Sequence, residues 1–153
     1  MINLDSVNSL LSKMAEANGG TNHSLHYALA KLPTAESLPL ALDAYFSSYS
    51  TSSCPPQPPE RWNIRTTELS NADSELRSAA KRWFYEMECS PFADSTTLER
   101  TLNVFLNRLQ SVVGNAKALE VKVDPPMWYE CEWQDFAFDG ESGRWMLHFG
   151  VSD

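Results

Sequence analysis

Glu130, Glu132 and Asp135 stand close together in a segment that also carries Trp128 and Tyr129. If that segment is a strand, residues two apart project from one face, so Glu130 and Glu132 form a carboxylate pair. Such a pair could hold a cation, do acid–base work, attract a basic protein, or simply keep a sheet face solvated. The neighbouring Trp128 and Tyr129 are of the aromatic type that dominates interface energies. These five residues form the candidate partner-binding set.

The other chemistry-bearing residues are more scattered. His23 and His26 lie three apart, but no Cys, Asp or Glu follows them at a paired spacing, and a metal needs three or four ligands. His148 sits in RWMLHFGV with no nucleophile motif around it. A general base there would need an orienting carboxylate in reach, so the sequence reading leaves it inert on a half-exposed strand. Arg77, Lys81 and Arg82 sit at i, i+4 and i+5, near enough to Glu75 and Glu86 for intrahelical pairing. The sequence holds no glycine-rich phosphate loop or dinucleotide fingerprint. No catalytic residue, metal ligand set or cofactor is assigned.

Charge narrows the partners. The chain of 153 residues has a formal net charge of -8. Residues 124–153 contribute seven acids against one basic group, Arg144. Nucleic-acid binding needs a basic stripe to neutralise phosphates, so that class is set aside. An acidic face instead attracts a basic protein. Three well-separated cysteines, Cys54, Cys89 and Cys131, do not make a disulfide framework. The opening MINLDSVNSLL lacks a basic, apolar leader, and no apolar run is long enough to span a bilayer. The expected setting is cytoplasmic, with no membrane partner.

The elements that must position these groups follow from periodicity. Leu4, Val7, Leu10, Leu11 and Met14 recur on one helical face, capped by Asn3 or Asp5 and stopped at Gly19-Gly20. Leu25, Ala28, Leu29 and Leu32 read as a second helix, and Leu38, Leu42, Tyr45 and Phe46 as a third, with Thr34 or Ser37 as cap. Residues 47–60, SSYSTSSCPPQPPE, have no period and read as a Ser/Pro-rich linker or surface loop. Residues 61–69 alternate as an isolated or edge strand.

Two long helices follow, over 72–89 with Asn71 as cap and over 96–113 with a Thr96/Glu99 capping box. From Leu119 the period becomes two. Three strands result, ending at Val123, spanning 127–138 and spanning 144–151, with DGESG at 139–143 as the turn. The middle strand changes phase: apolar residues are odd-numbered to Trp133 and even-numbered at Phe136 and Phe138. A bulge near Gln134-Asp135 explains that, or else both faces of its end are covered. The aromatic density of 127–149 exceeds what one sheet face can bury, so some rings should be exposed or at a subunit contact.

The expected fold is α+β, one domain over 1–153. It comprises a helical N-terminal region (residues 1–46), the linker 47–60, and a unit 61–153 of two long helices packed on a C-terminal three-stranded antiparallel meander. The expected function is that of a non-catalytic, acidic protein-binding protein with a basic protein partner. An immunity protein neutralising a basic toxin is one such type. The alternatives are a homo-oligomeric structural or adaptor domain, and a small enzyme using the strand carboxylates.

Overall fold

The architecture is described from a computed structural model covering residues 3–20 and 22–153; Met1, Ile2 and Thr21, within the expected helical N-terminal region, lie outside the described residues. The fold is α+β. In chain order it runs α1 (Leu4–Asn18), β1 (Ser24–Lys31), α2 (Leu38–Ser47), a 3-10 turn (Pro59–Trp62), β2 (Arg65–Glu68), α3 (Ala72–Tyr85), α4 (Ser95–Val113), β3 (Lys117–Lys122), β4 (Glu132–Gly140) and β5 (Gly143–Ser152). The strands form one antiparallel sheet in the order β1-β5-β4-β3-β2.

This corrects the expected three-stranded meander. The meander β3-β4-β5 exists, but β1 from the N-terminal region and β2 extend it to five strands. Nor are there two long helices set apart, because α1 with 15 residues exceeds α3 with 14, and both accompany the 19-residue α4. The expected second helix is β1. Its Leu25, Leu29 and Leu32 fit a helical stripe, yet Leu25, Tyr27 and Leu29 fit alternation equally, and pairing with β5 decides between them. Caps form at Asn3, Ser37 and Asn71 through their side chains. Helix α4 is capped by Asp94, which accepts from Thr97 N–H, rather than by Thr96.

The sheet is covered on both faces. On one, Val7 and Leu11 of α1, Leu76, Trp83 and Phe84 of α3, and Leu102, Phe105 and Leu109 of α4 cluster with Tyr27, Leu29, Phe136, Phe138, Trp145, Leu147 and Phe149. On the other, Leu42 and Phe46 of α2 and Trp62 of the 3-10 turn cluster with Val121, Tyr129, Ala137 and Met146. The 47–60 segment thus leads from α2 to a fully buried tryptophan.

Double coverage also resolves the phase of β4. Its register against β5 runs unbroken from Glu132↔Val151 to Gly140↔Gly143, so no bulge intervenes. Phe136 and Phe138 face the three helices, while Trp133 and Ala137 face α2. Tyr129 and Cys131 precede the strand and take no part in its pleat. The aromatic surplus has the same explanation. Tyr129, Phe136, Phe138, Trp145 and Phe149 are all buried, divided between two cores, and within 127–149 Trp128 is the large ring left exposed, at 58%.

Candidate functional site

Two polar features gather where β1 begins, β5 ends and the chain enters β4. The first is a buried charge cluster on the α2 face of the sheet. The β4–β5 register sets Asp135 directly opposite His148, and His148 Nδ1 lies 2.5 Å from Asp135 Oδ1. His148 Nε2 lies 3.3 Å from Glu130 Oε1. Glu130 in turn is met by His26 Nδ1 at 2.9 Å and by the Ser152 hydroxyl, which donates to it. Tyr129 donates its hydroxyl to Asp135 Oδ2 at 2.9 Å. Gly150 makes the space: a Cβ there would fall 2.6 Å from His148 Nε2 and 2.7 Å from the Glu130 carboxylate.

The electrostatics follow from this geometry. Burial disfavours charge on His148, but hydrogen bonds to Asp135 and Glu130 outweigh that and push its pKa up to about 9. Burial likewise raises Glu130, yet bonds from His148, Ser152 and His26 leave it below the ordinary carboxylate value. Tyr129 is pushed up, first by burial and then by the Asp135 charge. Because both ring nitrogens of His148 face carboxylates, its charged form carries a proton on each and keeps no lone pair for base chemistry. The cluster is a satisfied ion group, with Asp135 fully shielded and His26 at its solvent end.

The second feature is an acidic cleft of about 410 Å³ beside this cluster. Helices α1 and α3 both end at it. The Asn18 side chain, 2% exposed, donates to the Met14 and Phe84 carbonyls, so it ties the two C-termini together. Ser90 closes the knot, donating to Asn18 Oδ1 at 2.5 Å and accepting from Met87 N–H. Helix C-termini present unpaired carbonyls equivalent to roughly half a negative charge, and α1 has no basic residue in its last turn. Around them stand the exposed carboxylates of Glu86, Glu88, Glu132 and Asp153. Arg82 also lines the cleft, but its guanidinium is engaged by Glu132 and lies 5.0 Å from the Trp83 ring. His23 sits between Asp153, at 3.0 Å, and Glu88, at 3.6 Å.

The five candidate residues therefore separate. Glu130 and Glu132 were expected on one strand face. Instead Glu130 lies before β4, turned into the buried cluster with a side chain only 7% exposed, while Glu132 opens β4 and lines the cleft. Asp135 and Tyr129 are buried, and Trp128 stands in solvent. His148, read as inert, is the centre of the cluster and does have the carboxylates it lacked in sequence. His26, Ser152, Glu86 and Glu88 were not singled out as site residues. Among the described residues, no group of three His, Cys, Asp or Glu side chains is arranged to hold a metal ion. Among them, too, no helix is long and apolar enough to cross a membrane.

The fold and site define an α+β protein with a five-stranded antiparallel sheet and an acidic end. No protein-family model matches the chain, and no curated protein matches it. Among solved structures it is similar to a crystal structure of citrus MAF1, at 12% identity, with 98% of each chain covered and a TM-score of 0.59. At that identity the likeness shows the fold alone.

Proposed function

We propose that this protein is a non-catalytic binding protein that recognises a basic protein partner through the acidic cleft. The supporting observation is the convergence there of two helix C-termini and four exposed carboxylates, with a single arginine that is already engaged. Such a field speeds encounter with cations and penalises phosphate. The carboxylates are exposed, so their job is not to hold the fold; exposed charges contribute typically under about 1 kcal/mol. The buried cluster beside the cleft fixes the segment that leads into Glu132.

Calorimetric titration with a lysine-rich model peptide tests this. The expected result is binding that weakens as salt rises, because the Debye length falls from about 10 Å at 0.1 M to about 3 Å at 1 M. Glu86→Lys combined with Glu88→Lys should abolish it while leaving the fold intact. Binding that survives both the charge reversal and high salt would reject the cleft as the recognition surface.

A further inference from the structure

We infer that the partner's basic segment binds as an extended strand added to the free edge of β1. Strand β1 is the end strand of the sheet, paired with β5 on one side only. At Leu29 its outward backbone groups are taken by a side chain: Asn8 donates to Leu29 C=O at 2.9 Å and accepts from Leu29 N–H at 2.8 Å. Alternate residues of a strand share a direction, so Leu25 and Tyr27 point their N–H and C=O outward as well. The other side of the sheet agrees, because Val151, opposite Leu25, gives its carbonyl to Cys131 N–H at 2.8 Å on the β4 side. Among the described residues, no hydrogen bond reaches the outward groups of Leu25 and Tyr27.

Alongside this stretch runs a groove of about 510 Å³ between β1 and α1. Its helical wall is made of Ser12, Ala15, Glu16 and Gly19, small except for one acid, so another backbone can come close. Asn8 occupies the edge at Leu29 and limits an added strand to the Ser24–Ala28 level. The occupant's charge is set by Glu16, by the C-terminus of α1, whose last turn carries no basic residue, and by the acidic cleft that shares His23 with the groove. A second copy of this chain, itself at net charge -8, would bring the same acids face to face. The partner's positive charge rests on the function proposed above; the strand geometry rests on the edge.

The test uses the full chain and a fluorescent octapeptide of alternating Lys and Val, with a control of equal charge N-methylated at alternate residues so that one edge cannot donate. Leu25→Pro removes one outward N–H, a change edge strands tolerate. The expected results are binding of the plain peptide, at least about tenfold weaker binding of the N-methylated one and by Leu25→Pro, and slower amide exchange at Leu25 and Tyr27 when peptide is added. The exchange measurement stands on the wild type, so it decides even if Leu25→Pro fails to fold. Equal binding of both peptides without exchange protection overturns strand addition and leaves the charged cleft standing. Loss of all peptide binding, at low salt, overturns both. A dimer seen by sedimentation that Leu25→Pro dissolves would assign the edge to a second copy instead.

Discussion

The two faces of the sheet solve the same packing problem differently. The face under α1, α3 and α4 is apolar along its length, with Phe105, Leu109, Trp145, Leu147 and Phe149 closing on one another. The face under α2 is apolar only where α2 and Trp62 reach. At the margin of that reach, where Tyr129 packs on Phe46 and Trp62 and donates to Asp135, β1 leaves Ala28 exposed and β5 carries His148. There the chain places an ion cluster instead of hydrocarbon. Burying charge is costly unless partners and hydrogen bonds compensate it, and here Asp135, Glu130 and Tyr129 surround one imidazole, with His26 and Ser152 bonded to Glu130 behind them, at a gap that a glycine leaves open. The first face holds the fold together; the second builds a rigid polar end for the sheet.

That contrast can be broken at its most expensive point. His148→Ala leaves Asp135 and Glu130 buried without their cation and should cost about 3–5 kcal/mol, read by urea denaturation. A cost below about 1 kcal/mol would mean that water or rearrangement replaces the imidazole freely. On the other face, Leu109→Ala should cost about 2–5 kcal/mol through a cavity in a packed core. The two losses should add, since the sites share no partner. Strong coupling between them would mean that the faces are not independent.

A smaller effect probes the space inside the cluster. Gly150→Ala puts a methyl against Glu130 and His148 and should destabilise by about 1–3 kcal/mol, the usual range for overpacking. The same cluster sets a pH dependence. His148 is raised in the folded chain from 6.5 to about 9, so the stability it contributes is fully present below pH 6.5 and is lost as pH rises through about 9. The groups facing it are Asp135, Glu130 and Tyr129, with His26 beyond Glu130. The melting temperature of the wild type should therefore fall between pH 6.5 and 9, and that slope should flatten in His148→Ala. The smallest effect belongs to the cleft: Glu86→Lys with Glu88→Lys should shift stability by no more than about 0.5 kcal/mol per site.

Much of this was legible in particular residues. The stripe Leu102, Phe105, Leu106 and Leu109 and the alternation Trp145, Leu147 and Phe149 are both long and regular, and both elements form. Strand β1 was hidden because SLHYALAK satisfies two periods at once, and only its partner β5, more than a hundred residues away, selects one. The α2 face was hidden because nothing local says that a Ser/Pro-rich stretch ends in a buried tryptophan. The link between Asp135 and His148 was within reach. A two-residue turn at Glu141-Ser142, with Gly143 at a φ of +152° that side chains rarely adopt, sets the hairpin register. Counting outward from Gly140↔Gly143 places Asp135 opposite His148. The cleft could not be found that way, since its carboxylates come from a helix end, a strand start and the last residue, and only tertiary packing brings them together.

The central claim is that the acidic end of the sheet, rather than any other surface, takes the basic partner. Mapping backbone amide shifts while the lysine–valine octapeptide is titrated into the isotopically labelled protein tests it most directly. The shifted amides should cluster at Glu16–Gly19, His23–Tyr27, Glu86–Cys89, Cys131–Glu132 and Val151–Asp153, while α2 and β2 stay unmoved. Shifts centred on α2 or β2, or none at any peptide concentration at low salt, would contradict it.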